Sequence, residues 1–329
     1  REISPDGKVA GGPMFTLLHG LQMKRTAALF AIFTLVASFG IGNMVQANSV
    51  VDGLGYVYPL VDEYSWVVGI ILSLLVGLVI LGGLKRIAHV ASAVVPFMAV
   101  AYIVAALIIL FANASAIPAA FLTILDMALN PWSVGGAAVG EAIRWGVARG
   151  LFSNEAGVGS APLAHAAART NEPVREGLGA MLGPCFDTIV ICTMTGLVII
   201  TTGTWQEGSA SLTGAALTAH AFNSTLGDTG KLIVGISLAL FAYSTMIAWS
   251  YYGDRSAYYL FGKRAVLPYR ILFTLLVIVG AAVPLQLVWN IADITNILMA
   301  LPNLLGLILL AGLVSKLRKD YMSRTRGDG

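Results

Sequence analysis

A hydrophobic segment from Val139 to Ala168, long enough to cross a bilayer, is interrupted near its middle by glycines and polar residues. The interruption reads Arg149-Gly-Leu-Phe-Ser-Asn-Glu-Ala-Gly-Val-Gly-Ser160. In lipid, backbone N–H and C=O groups must pair within the protein, and glycine weakens a helix at such a point. A glycine face for close helix packing is the competing interpretation. Because polar side chains lie among the glycines, the pattern favours a transmembrane helix that opens near Phe152–Gly157.

The composition of the whole chain agrees with a membrane location. Of its 329 residues 57% are hydrophobic and 11% are charged, whereas soluble domains carry roughly 25% charge. The sequence therefore predicts an all-α integral membrane protein. With about 20 apolar residues per crossing, about eight spans can be marked: A, Thr26–Val51; B, Trp66–Gly83; C, Val90–Ala112; D, Val139–Ala168; E, Leu178–Thr201; F, Leu232–Tyr252 with an extension to Leu260; G, Tyr269–Leu287; and H, Ile291–Val314.

Basic residues fall in every second loop between these spans. They stand before A, between B and C, between D and E, between F and G, and after H, and the first two pairs are Lys24-Arg25 and Lys85-Arg86. By the positive-inside rule both ends of the chain are expected on the cytoplasmic side. Since the net charge is only +3 and the cations stand at span ends, nucleic-acid binding is excluded. Two of the other loops are predicted to hold short helices, at Ile117–Leu129 and Leu212–Phe222.

Uncharged polar residues occur at similar depth in spans A and F. In span A, Asn43 and Gln46 are three residues apart and share a helix face; they fit either contacts to a zwitterionic ligand or hydrogen bonds between helices. In span F, Ser244 and Thr245 fit either oxygen ligands of a monovalent cation or hydroxyls that bond to their own helix. Trp249, one turn further on, fits a pocket wall or the core.

Ionisable residues lie within the spans as well. Arg149 and Glu155 are costly in lipid unless they find a partner or water. Asp187 in span E is expected to be functional or to pair with a residue of span D. A second half-helix, Val158–Ala168, would direct its positive end towards an anion. The histidines show no metal-ligand spacing, and no nucleotide or nucleophile motif occurs, so the chain is predicted to be no enzyme and to need no cofactor.

Four motifs in order resemble the alanine or glycine:cation symporter family. They are Gly40-Ile-Gly-Asn-Met-Val-Gln-Ala-Asn-Ser49, Gly150-Leu-Phe-Ser-Asn-Glu-Ala-Gly-Val-Gly-Ser-Ala-Pro162, Asp187-Thr-Ile-Val-Ile-Cys-Thr-Met-Thr195, and Ser244-Thr with Trp249-Ser-Tyr-Tyr-Gly253. The resemblance implies sodium-coupled symport of alanine or glycine, a small neutral amino acid, by alternating access. It places the chain as a multi-pass protein in the cytoplasmic (inner) membrane of a bacterium or archaeon.

The resemblance also implies a fold. The family has the five-plus-five inverted repeat of the amino acid-polyamine-organocation superfamily, which is leucine-transporter-like and contains a discontinuous helix. Residues 25–112 would then be the last three helices of the first repeat, 135–318 the second repeat, and 319–329 a cytoplasmic tail. The single transmembrane domain would lack its first helices, so the chain is expected to be an N-terminally truncated fragment with an incomplete site.

Site residues follow from the resemblance position by position. The expected contacts to the amino acid are Gln46, Phe152, Ser153, Asn154, Gly157 and Trp249. The expected ligands of the coupling ion, Na⁺, are Ser244 and Thr245. The alternative within transporters is proton coupling through Glu155, Asp187 or His165. A channel subunit is less favoured, because the polar residues cluster at one depth rather than along a continuous face.

Overall fold

The computed structural model describes residues 2–3, 9–129, 138–206 and 212–327, and these are mostly helical. Two short strands, β1 at Glu2–Ile3 and β2 at Val9–Ala10, pair antiparallel near the start of the chain. The principal helices, in chain order, are α1, Lys24–Val57; α2, Ser65–Ile80; α3, Leu84–Ala112; α4, Ile117–Leu129; α5, Ala138–Asn154; α6, Ala161–His165; α7, Pro173–Thr201; α8, Gly214–Leu226; α9, Asp228–Phe261; α10, Val266–Ala282; and α11, Leu285–Gly327.

Six helices in the described ranges are long and apolar enough to cross a membrane: α1, α3, α7, α9, α10 and α11. The prediction of a helical, multi-pass membrane protein is therefore confirmed, apart from the two short strands near the start of the chain. The other two predicted spans are the 16-residue helix α2 and the divided segment made of α5 and α6. Eight crossings and an inverted repeat remain predictions.

The boundary between the last two predicted spans was wrong. Span G was expected to reach Leu287, but α10 ends at Ala282 and Val283 is extended, with φ −88° and ψ 146°. Pro284 follows, and proline disfavours helical dihedrals in the residue before it. The next helix, α11, begins at Leu285 and continues to Gly327. Most of the predicted tail, residues 319–329, is thus helical, and residues 328–329 lie outside the described part.

Both loop helices occur in the structure. Helix α4 has the predicted limits, Ile117–Leu129, and α8 spans Gly214–Leu226 where Leu212–Phe222 was expected. The shift in α8 has a local cause, because Gly227 has φ +62° and stops the helix there. A glycine adopts such a left-handed conformation without steric cost.

Helix α9 lies at the centre of the packing. It contacts α1, α3 and α8, while α10 packs along α2 and α11 packs along α1. Three buried apolar clusters fill the spaces between these helices, centred on Phe30, Phe273 and Phe222. Many large apolar side chains point outward instead, such as Leu78 and Ile308. Apolar side chains thus lie both between the helices and on their outer surface, as is typical of helices surrounded by a bilayer.

Candidate functional site

The segment between α5 and α6 is unwound, as the sequence predicted. Helix α5 ends at Asn154, Glu155 has φ +52°, and Gly157 and Gly159 have φ +77° and +103°. The carbonyl oxygens of Phe152, Ser153 and Asn154 accept no hydrogen bond from other described residues. Broken helices in transporters offer such backbone groups to solutes and ions.

The second half of the broken helix is shorter than predicted. A half-helix from Val158 to Ala168 was expected, but α6 covers only Ala161–His165. The residues before it form the unwound segment, and those after it form successive turns, with Ala167 N–H donating to the Ala164 carbonyl and Ala168 N–H to that of His165. Because α6 has only about one helical turn, the helix dipole that was expected to attract an anion is small.

Packing holds the unwound segment in its shape. Asn303 of α11 donates from Nδ2 to the Gly157 carbonyl at 2.8 Å. A Cβ atom on Gly159 would stand 2.7 Å from the Phe30 ring and 2.9 Å from both Asn303 and Pro13. Only glycine fits at that position, by space and by backbone conformation. The break is therefore built into the tertiary packing.

Glu155 and Trp249 meet at the break. The Trp249 indole Nε1 donates to Glu155 Oε1 at 2.8 Å, and the Ser160 hydroxyl donates to Oε2 of the same carboxylate. Trp249 is only 2% exposed. Its side chain lies against Gly42, where a Cβ would approach Trp249 Cβ to 2.2 Å. Trp249 thus joins α9 both to the break and to α1.

Gly42 belongs to a π-helical turn of α1, Gly40–Met44. Helix α7 contains a second such segment, Asp187–Cys192. π-helical turns inside α-helices are frequent at functional sites. Here one lies beside Trp249, and the other contacts the end of α5.

The end of α5 is hydrogen-bonded to α7. The Ser153 hydroxyl donates to Asp187 Oδ2, and the Thr188 hydroxyl donates to Asn154 Oδ1 at 2.6 Å. Of the two alternatives that the sequence left open for Asp187, the structure shows the pairing with span D, through Ser153, and a functional role of Asp187 stays a prediction. Two of the predicted ligand-binding side chains, Ser153 and Asn154, are held by this contact next to the unwound backbone.

Arg149 has a partner that sequence reasoning missed. Its guanidinium meets Asp293 of α11 at 2.5 Å and lies 4.4 Å from the centre of the Trp289 ring. Phe152 packs against the same tryptophan, with the ring centres 4.7 Å apart. The available signal was Asp293 itself, because an acid inside an apolar span indicates a buried partner or a functional site.

The amides of α1 mostly connect helices. Asn43 Nδ2 donates to the Phe273 carbonyl at 2.5 Å, and Asn48 Nδ2 donates to the Val283 carbonyl at 2.7 Å. For Asn43 the structure therefore supports the alternative of a bond between helices. Gln46 donates to the Ile41 carbonyl of its own helix at 3.0 Å, and no contact among the described residues joins its side-chain amide to the break.

The two hydroxyls of α9 also bond within their helix. Ser244 and Thr245 both donate to the Phe241 carbonyl, at 2.8 and 2.9 Å. This is the back-bonded arrangement that the sequence left open. In this arrangement each hydroxyl proton is donated to the Phe241 carbonyl, and the oxygen lone pairs stay available to a cation. Thr245 and Trp249 are four residues apart and therefore share one face of α9.

At the far end of the broken helix, His165 is paired with an acid. His165 Nδ1 and Glu176 Oε1 are 2.6 Å apart. They line a cavity of about 700 Å³ between α6 and the start of α7. Among the described residues no cluster of three metal-ligating side chains was found.

Residues 1–328 match the model of the sodium:alanine symporter family. The chain belongs to this family. It is 48% identical to the sodium/alanine symporter AgcS of Methanococcus maripaludis, covering 98% of this chain and 71% of that protein. An uncharacterised transporter of Haemophilus influenzae is 46% identical over the same shares of both chains. A probable sodium/glutamine symporter of Bacillus subtilis is 36% identical, over 94% and 64%.

Membership confirms the sequence-based resemblance and the prediction that the chain is no enzyme. The symporter is a multi-pass membrane protein of a transporter family. The relatives differ in the solute that their names give, alanine in one and glutamine in another, so membership alone does not choose the substrate. The assignments of Gln46, Phe152, Ser153, Asn154, Gly157 and Trp249 to substrate, and of Ser244 and Thr245 to Na⁺, remain predictions.

Proposed function

We propose that this symporter moves a small neutral amino acid, alanine or glycine, together with Na⁺ across the cytoplasmic membrane by alternating access. The observation that carries the proposal is the unwound segment between α5 and α6. Its carbonyl groups at Phe152–Asn154 accept no hydrogen bond from the described residues, and the positive φ angles of Gly157 and Gly159 keep the segment out of a helix. A zwitterionic amino acid needs such acceptors for its ammonium group.

The position of Trp249 supports the proposal that the solute has a small side chain. This residue is buried, it lies against Gly42, and it is bonded to Glu155 at the break. A large rigid ring fixed in this way limits the space that a solute can fill beside the unwound backbone. Phe152, packed on Trp289, adds a second aromatic wall. We therefore favour alanine and glycine over the glutamine named for one relative.

The coupling ion is assigned to Ser244 and Thr245 on α9. Their hydroxyl protons are directed to Phe241, so the oxygen lone pairs are free for a hard cation such as Na⁺. Thr245 lies one turn from Trp249, on the same face of α9. An ion held there would couple to the break through the Trp249–Glu155 hydrogen bond.

Proton coupling is the second candidate, and the environment of Glu155 is its particular support. This carboxylate lies at the break with an indole and a hydroxyl as donors. Protonation would remove the charge that both donors stabilise. It would thereby alter the contact between α9 and the unwound segment.

Uptake of labelled alanine by the full-length protein in proteoliposomes separates these candidates. Gradients of Na⁺, K⁺ and protons are imposed in turn, and unlabelled glycine, serine and glutamine are tested as competitors. We expect uptake above the gradient-free level only with an inward Na⁺ gradient, and competition by glycine. Uptake driven by protons without Na⁺ would instead assign coupling to Glu155, Asp187 or His165, and competition by glutamine alone would reject a small solute.

A further inference from the structure

A second cavity, of about 480 Å³, lies away from the break, where the turn between α2 and α3 meets the ends of α9 and α10. Among the residues that the structure describes, its charged lining consists of Lys85, Asp254, Arg255 and Arg270, with Tyr251 beside them. Three cations and one carboxylate give this lining an excess of positive charge. The cavity opens on the side of the protein where the basic loops lie.

Asp254 and Arg270 form an ion pair in this lining. The guanidinium of Arg270 donates from Nε to both carboxylate oxygens of Asp254, at 3.1 and 3.0 Å, and its Nη2 also bonds Oδ2. Both side chains are shielded from solvent, at 2% exposed for Asp254 and 17% for Arg270. This pair is electrically neutral, and the remaining positive charge comes from Lys85 and Arg255.

Arg255 is buried without an anionic partner among the described residues. It is 6% exposed, and its Nε is buried with no hydrogen-bond partner. The contacts that the structure gives it are with the rings of Tyr251 and Tyr258, each 5.3 Å from the guanidinium carbon. An arginine does not lose its proton in proteins, so this buried charge requires an anion to offset its loss of water.

Two exposed leucines line the cavity beside Lys85. Leu81 is 56% exposed and Leu84 is 40% exposed, and both line the opening. Arg255 stands six residues before the end of α9 at Phe261, which is about 9 Å along the axis at the helical rise. Arg255 is thus near the end of α9 that adjoins the basic loop at Lys263 and Arg264. Basic pockets between helices on such a side bind anionic headgroups.

We propose that this cavity binds a phosphate group, with Arg255 as its principal ligand and Lys85 at its mouth. The planar fork of a guanidinium matches two phosphate oxygens, and the stacking of Arg255 on two tyrosines holds that fork in place. The phosphate comes from an anionic lipid headgroup or from a free phosphate ion, and the two sources differ in whether acyl chains lie on Leu81 and Leu84.

The test measures the midpoint of thermal unfolding of the full-length protein in neutral detergent at constant ionic strength and constant Na⁺. Sodium phosphate, sodium acetate and a short-chain phosphatidylglycerol are titrated separately. We expect phosphate or phosphatidylglycerol to raise the midpoint, and acetate to have no effect. A response to phosphatidylglycerol alone assigns the phosphate to a lipid, and a response to inorganic phosphate assigns it to the free ion.

The decisive variant is Arg255→Gln, with Arg264→Gln as its matched control, because Arg264 is exposed just beyond α9. Arg255→Gln is expected to raise the half-maximal ligand concentration by about tenfold or more, and Arg264→Gln to leave it unchanged. If Arg255→Gln does not fold, Lys85→Gln replaces it, with an expected loss of about threefold since its charge is screened at the rim. Its control is Arg86→Gln, whose guanidinium donates to the Leu78 carbonyl instead.

Two results would overturn the proposal. One is a wild-type protein whose unfolding midpoint responds to neither phosphate nor phosphatidylglycerol. The other is a ligand response in Arg255→Gln, or in Lys85→Gln where that variant is used, equal to the response of its control.

Discussion

The indole N–H of Trp249 is hydrogen-bonded to the carboxylate of Glu155 at 2.8 Å. This contact joins the central helix α9 to the unwound segment between α5 and α6. Trp249 also packs against Gly42 in the π-helical turn of α1. The break is therefore in contact with two further helices, α9 and α1, through one side chain.

Loss of that hydrogen bond is expected to weaken the symporter. In Trp249→Phe the ring remains but the donor to Glu155 is lost, which leaves a buried acceptor less satisfied and costs about 1–3 kcal/mol. The unfolding midpoint and alanine uptake should both fall. Trp66→Phe, at a side chain that is 53% exposed, is the control and should change neither. Equal behaviour of the two variants would show that the contact has no energetic role.

Gly159 is expected to tolerate no side chain. Gly159→Ala combines φ +103° with contacts under 3 Å to Phe30 and Asn303, and the strained backbone alone costs about 2 kcal/mol. Gly146→Ala is the matched control in α5, where a Cβ meets nothing within 4 Å; alanine there should be neutral or stabilising by up to about 1 kcal/mol. Thermal unfolding measures both, and an unchanged midpoint in Gly159→Ala would contradict the observed packing.

Removal of the α9 hydroxyls is expected to change the dependence on Na⁺. In Ser244→Ala combined with Thr245→Ala, the Na⁺ concentration for half-maximal alanine uptake should rise about tenfold, the equivalent of about 1.4 kcal/mol. The control is Ser250→Ala, since Ser250 is also buried and also bonds its own helix, to the Ile247 carbonyl. An unchanged Na⁺ requirement in the double variant would remove both residues from the ion site.

Arg149 and Asp293 are expected to be energetically coupled. Each side chain is about one-third exposed, 33% and 35%, so the pair is only partly shielded and the coupling should be about 1 kcal/mol. A double-mutant cycle with Arg149→Gln and Asp293→Asn measures it from unfolding midpoints. The reversed pair, Arg149→Asp with Asp293→Arg, should recover part of the loss. Strictly additive effects would show that the two charges act independently.

Acid is expected to release the end of α11 from the loop before α7. Arg324 donates to both carboxylate oxygens of Glu172, and this lowers the pKa of Glu172 below its ordinary value of 4.5. A lowered folded-state pKa means that the contact stabilises above the ordinary value and is lost as the pH falls through the folded-state value. The protection of the amides around residues 320–325, taken relative to the intrinsic exchange rate at each pH, should therefore fall in acid.

A neutral side chain in place of Glu172 provides the control for this pH effect. Glu172→Gln should show at pH 7 the low amide protection that the wild type shows in acid, and its protection should change little with pH. Arg324 also meets Asp320 at 3.1 Å, so some order of the helix end should persist. Equal amide protection in the wild type at both pH values would contradict the assignment.

Much of the fold could be read from local patterns. Apolar length and the alternation of basic loops placed the six long helices, and the glycines at 157 and 159 marked the break. The positions of Asn43 and Asp187 indicated polar contacts inside the membrane without indicating which. The end of α10 was missed because an apolar run passes across Pro284 without a change in hydrophobicity, although the proline itself breaks the helix.

The sequence by itself determined that this protein is a helical membrane protein of the symporter family with an interrupted helix, because apolar length, glycine and charge act locally along the chain. The tertiary structure decided the partners: Trp249 for Glu155, Ser153 for Asp187, Asp293 for Arg149, and Phe273 for Asn43. These pairs join residues 34 to 230 positions apart in the chain. Such pairing depends on how the helices pack against each other, and a single sequence gives no distances between residues that lie on different helices.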